Sequence, residues 1–288
     1  MNTLYINQPL QTGFSVQTNC NELLSALKLK HGKYAKATGT AAYTVTVTKT
    51  AAGYKVACNG QEQLSASPLR AVEEVMYHLR DYDPEIFAIH GGAVQYQNGA
   101  YLFVAGTTGG KTTLTAYLTT VGFAYITDDC ILLNRKKNLV YPFQTPLHLR
   151  QGGYQVLQQA APKPIKTQVL NAPDFWRITY TPSLLATEPV PLKKIYFIER
   201  TGQENRVVPM STTERITALL KSPIKNYRVD GNYLRYLTKL AQTPCERLLY
   251  HNMAFVAEVI KNDEQFSRPT AAGRFKGQRQ RRANSSRR

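Results

Sequence analysis

Three hydrophobic patterns run along this chain, and each predicts a different element. From Tyr43 to Lys49, Tyr, Val and Val alternate with three threonines. A period of two belongs to a strand with one face buried. Leu69, Val72, Val75, Met76 and Leu79 recur instead at helical spacing, behind an N-cap at Ser67 and a proline at the first helical position, Pro68. Tyr101 to Val104 is continuously apolar, as in a strand buried on both faces. The same reasoning predicts a strand over Phe14–Gln17 and a helix over Glu22–Lys30. It predicts a hairpin of Tyr54–Cys58 and Gln61–Leu64 about Asn59-Gly60.

Further along, strands are predicted over Ile86–Ile89, Ala93–Tyr96, Phe123–Thr127, Ile131–Asn134 and Leu139–Phe143, with an extended segment at Thr145–Arg150. Lys193–Glu199 and Cys245–Tyr250 read as later strands. Ser211-Thr-Thr-Glu214 is a capping box that opens a helix to Leu220. Helices follow over Asn232–Ala241 and from the Asn252 cap to Lys261. Residues 151–190 are rich in Gln, Pro and Thr without a clear period, and read as a surface subregion or mobile loops around Trp176. The pattern divides the chain into an N-terminal α+β domain, 1–85, an α/β domain, 86–262, and a tail, 263–288. The tail has too few apolar residues to order itself.

With 288 residues and 43% hydrophobic content, the chain can bury a sizeable core. No stretch is long and apolar enough for a membrane helix, and the N-terminus lacks a signal-peptide layout; cytoplasmic residence without a membrane partner is expected. Cys20, Cys58, Cys130 and Cys245 are far apart, so reduced, buried thiols are expected rather than a zinc site. The net charge is +17, and without the eight basic residues after Ser267 it is still +9, 28 basic against 19 acidic. A basic body suits an anionic ligand, an acidic peptide or nucleic acid.

The chemistry concentrates after the apolar run. Tyr101–Val104 is followed by Ala105-Gly106-Thr107-Thr108-Gly109-Gly110-Lys111-Thr112, and Thr112–Thr120 reads as a helix. Strand, glycine loop, Lys-Thr and helix make a phosphate-binding P-loop. Backbone N–H groups of residues 106–113, among them Thr107, Thr108 and Thr113, line such a loop, and the helix dipole adds to them. Lys111 would reach the phosphates and Thr112 would ligate Mg²⁺. Ala105 stands where the usual pattern has its first glycine. The competing reading is an ordinary strand-to-helix turn with a solvated lysine, although a cation in the first helical turn opposes the dipole.

Asp128 and Asp129 end the strand that follows the P-loop helix, and a right-handed crossover carries that strand end to the phosphates. One carboxylate can act on Mg²⁺ while the other meets the incoming hydroxyl. Two solvated turn acids are the competing reading. His90 ends a strand expected beside the P-loop strand, and is either an orienting partner for an Asp or a satisfied core histidine. Arg150 is a surface arginine or a stabiliser of transferred charge.

The run His90-Gly-Gly-Ala-Val, the P-loop with its helix, and Gly122-Phe-Ala-Tyr-Ile-Thr-Asp-Asp129 resemble the HPr kinase/phosphorylase catalytic domain. Tyr141-Pro-Phe, Pro146-Leu-His-Leu-Arg150 and the strands at Lys193 and Cys245 are similar to its shorter, HPr-kinase-related branch. That branch includes kinases of ribosomally made peptides, such as lasso peptide tailoring kinases. The resemblance implies ATP, Mg²⁺, a serine hydroxyl acceptor on a peptide or small protein, and a homo-oligomer. It implies Lys111 as the P-loop lysine, Thr112 and Asp129 at the metal, Asp128 as the base, and His90 beside it. The acid-arginine-glycine stretch of the bifunctional enzymes is missing, so neither phosphorylase activity nor HPr as substrate is carried over. Glu199 is a candidate for the missing metal acid. A kinase of a free amino acid, and a non-catalytic nucleotide-binding regulator or nucleic-acid binder, are the alternatives.

Overall fold

The computed structural model describes residues 1–79, 83–106, 108–172, 175–222 and 231–266. The N-terminal unit runs β1 (Asn2–Ile6), β2 (Phe14–Thr18), α1 (Asn21–His31), β3 (Ala35–Lys36), β4 (Tyr43–Thr50), β5 (Gly53–Cys58), β6 (Gln61–Ser65) and α2 (Pro68–Leu79). Its six strands lie in the order β3-β1-β2-β4-β5-β6. The alternation in β4 sends Val45 and Val47 inward with no exposure. They meet Leu23 and Leu27 of α1 and Leu69, Val72 and Met76 of α2 in one core. Each such apolar side chain contributes roughly 1.5–3 kcal/mol on burial. β1 and β3 are absent from the sequence reading because each is too short or too mixed to show a period.

The second unit runs β7 (Ile86–Ile89), β8 (Gly92–Tyr96), β9 (Gly99–Val104), α3 (Lys111–Thr120), β10 (Ala124–Thr127), β11 (Ile131–Asn134), β12 (Leu139–Tyr141) and β13 (Leu147–Leu149). It continues through α4 (Gln151–Ala160), β14 (Thr167–Ala172), β15 (Phe175–Tyr180), β16 (Val190–Arg200), β17 (Arg206–Pro209), α5 (Thr212–Leu220), α6 (Gly231–Leu240), β18 (Cys245–Tyr250) and α7 (Met253–Phe266). The large sheet has the order β10-β8-β9-β16-β12-β11-β7, with β18 beside β16 and β17 beside β18. β9 is parallel to β16 and antiparallel to β8, and all six of its residues are buried, as its apolar run predicts. β16 changes partners along its length, pairing with β12 at Val190 and with β9 from Leu192 onward. Phe87 and Ile131 from one end of the sheet share a core with Leu102 and Ile195 from its middle, closed by Leu219, Tyr233 and Leu237. The sheet therefore curls over one core. Its other face packs Tyr101, Phe103 and Tyr196 against Leu114, Leu118, Val256 and Ile260 of α3 and α7.

Three expectations are corrected. Residues 151–190 are not a stretch of loops: they supply α4, β14 and β15, which with β13 make a sheet of order β13-β15-β14. Leu170 of β14 is fully buried in the N-terminal core, so this sheet joins the two units. The strand before His90 does not flank β9, the strand that leads into the glycine loop; β7 pairs with β11 at the far end of the sheet. α7 runs on to Phe266, and Asp263 accepts two hydrogen bonds from Lys194 Nζ at 3.0 Å and one from Tyr196 Oη. The predicted disorder of the tail beyond it, 267–288, lies outside the described residues. The four cysteines are free and buried, and among the described residues no three His, Cys, Asp or Glu side chains cluster as a metal site. No described helix is long and apolar enough to cross a membrane.

Candidate active site

The glycine loop leaves β9 at the sheet centre and enters α3. Gly109 N–H donates to Gly106 O at 3.1 Å, and Thr108 takes a left-handed φ of 66°. Gly110 is the N-cap, at φ 85°, and a Cβ there would lie 2.7 Å from Tyr250 Oη. The cap offers no side-chain acceptor, and the first turn of α3 holds no acid. Its N–H groups therefore have no partner within the helix. Gly106, Thr108, Gly109, Gly110, Lys111, Thr112 and Thr113 all stand in this loop or turn, whereas Thr107 lies outside the described residues.

Lys111 is only 6% exposed, and its Nζ donates to Ala105 O and Gly106 O at 3.0 Å each. The ammonium curls back over its own loop. Burial lowers its pKa, and the charges of Asp128 and Asp129 oppose that.

The crossover reaches the loop with one strand between. β10 pairs with β8, which pairs with β9, so β9 and β10 are parallel to each other. Asp128 follows β10 and is 4% exposed. Its Oδ1 is buried without a hydrogen-bond partner among the described residues. Burial pushes the carboxyl well above the usual carboxylate range, and the Asp129 charge pushes the same way. A hydrogen bond from the Thr112 hydroxyl, the Lys111 charge and a main-chain bond from Asp129 pull it back. Glycine at 92 leaves the room this needs: a Cβ there would fall 2.3 Å from Thr115 Oγ1 and 3.4 Å from Asp128 Oδ1. Thr115 Oγ1 is also buried without a partner. Thr115 is absent from the sequence reading, although its place one turn after Lys111 sets it on the same helix face.

Asp129 turns the chain at φ 69° and stays exposed. His90 is brought to it, but the contact differs from the expected one. His90 Nδ1–H donates to the main-chain oxygen of Asp129 at 2.9 Å, not to a carboxylate. The main-chain N–H of His90 donates to Ser222 O at 3.0 Å. His90 therefore fixes the turn that separates the two acids. Glu199 is exposed near the end of β16, and Arg150 is the exposed N-cap of α4.

Asp128, Asp129, His90, Ala105 and Gly106 all line one cleft of about 910 Å3. The N-terminal unit forms its opposite wall, with Lys30, His31, Glu73 and Tyr77. This array can bind an anion at the α3 terminus, hold a hard cation on oxygen ligands, and take up a proton at Asp128.

No protein family matches the chain, and no curated protein matches it. Among solved structures, the Hpr(Ser) kinase/phosphatase from Coxiella burnetii is similar over 62% of this chain and 96% of its own, at 10% identity and a TM-score of 0.30. At those values the likeness carries no argument about function, which rests on the residues themselves.

Proposed function

We propose that this chain is an ATP-dependent phosphotransferase that moves a γ-phosphate to a serine or threonine hydroxyl of a small protein or ribosomally made precursor peptide. The single observation that carries the reading is the orphaned, buried Oδ1 of Asp128 beside Thr112 and Lys111. A buried acceptor left without a partner costs roughly 1–3 kcal/mol, which a ligand at that point offsets.

The residues fit ATP and Mg²⁺. Uncapped N–H groups at the start of α3 and the Lys111 ammonium suit phosphate oxygens. The Thr112 hydroxyl and the Asp129 carboxylate suit a hard cation. Magnesium ATP supplies the transferable phosphoryl group and the cation that spreads its charge. Lys111 holds phosphates by giving up its bonds to Ala105 O and Gly106 O. Asp128 takes the proton of the acceptor hydroxyl; a carboxyl raised above the usual carboxylate range is better matched to that task than a free one. His90 holds the turn at Asp129 through its bond to the Asp129 carbonyl.

The test is incubation of the protein with magnesium ATP and short serine-containing peptides encoded beside it, read by mass spectrometry. One added phosphate on the peptide is expected. ADP release with free amino acids and no peptide product would move the acceptor to a small molecule. Neither product would remove the assignment.

A further inference from the structure

The small sheet that joins the two units carries a cationic face that adjoins the cleft described above. β13 and β15 pair His148 with Thr179 and Leu149 with Ile178, and Arg150, just past β13, lies close enough for its charge to act on Arg177. Leu147, Leu149 and Ile178 point into the core, and the pleat puts His148 and Arg177 on the other face. That face meets α1. His148 Nε2–H donates to Lys30 O at 3.3 Å. Lys30 Nζ lies 4.3 Å from the centre of the Phe175 ring, and Arg177 Cζ lies 4.7 Å from the same centre.

Lys30 is already matched by Glu73 at 2.8 Å. Among the described residues, no carboxylate comes within ion-pair distance of Arg150 or Arg177. The arginines repel each other: burial and the charges of Arg150 and Arg70 all lower the pKa of Arg177. The face reaches the cleft at His148. Lys30 and His148 line the cleft that holds Asp128 and Asp129, and the Asp129 charge acts on both His148 and Arg177. His148 Nδ1 is buried without a partner, a lone pair open to a donor.

Like charges held together beside a cleft are relieved by an anion, and the arginine fork matches a carboxylate in two-point contact. Resting on the phosphotransferase reading, we infer that the cleft between the units is the acceptor site, and that Arg177 and Arg150 hold a carboxylate of the acceptor. This contact sets the acceptor hydroxyl over Asp128. The acceptor class is a peptide with an acidic side chain near its phosphorylated residue. The N-terminal unit serves as half of the acceptor site through Lys30 and α1.

The experiment is fluorescence anisotropy with the full chain and a labelled serine peptide flanked by glutamates, beside the same peptide with glutamines. The glutamate peptide should bind roughly ten- to a hundredfold more tightly, the range expected for a charge-assisted contact. Arg177→Gln with Arg150→Gln should abolish that preference, Arg177→Lys should keep part of it, and Lys49→Gln should leave it unchanged. Succinate should compete if a carboxylate alone is recognised; no competition would assign the preference to the peptide frame and remove the carboxylate contact. Peptide binding is read without nucleotide, so the cleft can be tested even if the phosphotransferase reading fails. Equal binding of both peptides, or a preference that survives in the double variant, overturns the inference. So does RNA binding that is lost in the same variant while peptide binding is not.

Discussion

Replacing Asp128 by Asn tests chemistry and stability in opposite directions. Asn has nearly the same shape, so the glycine loop and Lys111 keep their places. It cannot take a proton. General-base contributions are typically about 10²–10⁴-fold, and phosphoryl transfer should fall by that range while nucleotide affinity changes by less than about tenfold. Stability should rise. The carboxyl is 4% exposed, its Oδ1 has no partner, and its pKa is raised mainly by burial. Between the ordinary carboxylate value and the raised one, the folded state holds a proton that the unfolded state has lost. Stability therefore falls as pH rises through that window. An amide removes the ionisation, and the gain should be on the order of 1–3 kcal/mol, or several degrees in melting temperature for a chain of this size. The gain should be larger at about pH 8 than at about pH 5. The assays are single-turnover transfer with magnesium ATP, binding of a fluorescent ATP analogue, and thermal melts at both pH values. Transfer at the wild-type rate would refute Asp128 as base and make Asp129 the next candidate. A lower melting temperature would refute the orphaned carboxylate.

Three further outcomes follow from the same geometry. Lys111→Ala removes a buried cation from the glycine loop and should weaken binding of the fluorescent nucleotide roughly ten- to a hundredfold, measured by titration. Gly110→Ala places a Cβ 2.7 Å from Tyr250 Oη at φ 85°; denaturant melts should register a loss of about 1–3 kcal/mol, and Tyr250→Phe should recover part of it. His148 is held at about pH 4, chiefly by burial, against an ordinary 6.5. The unfolded chain takes up that proton first, so as pH drops through this window stability should fall, by up to roughly 3 kcal/mol, and His148→Gln should flatten the profile.

The sequence by itself determined the local elements wherever a period was strong. β4 alternates and buries Val45 and Val47, α2 begins at Pro68, the Ser211–Glu214 box forms with both bonds made, and β18 spans Cys245–Tyr250 as read. It also put Lys111 and Thr112 at the start of a helix, because a strand, a glycine loop and a helix are each local signals. Tertiary structure decided what the period could not carry. Residues 151–190 fold because β14 and β15 find β13 and the N-terminal core, and a Gln- and Thr-rich strand shows its face only against a partner. β8 stands between β9 and β10, and β7 lies away from β9, because strand order depends on long-range pairing that no window of sequence contains. The orphaned state of Asp128 depends on Gly92 and Thr115 meeting it in space. Lys30 and Arg177, residues far apart in the chain, meet over one shared Phe175 ring. Charge composition showed only that the body is basic; packing determined that Arg150 and Arg177 gather on the joining sheet.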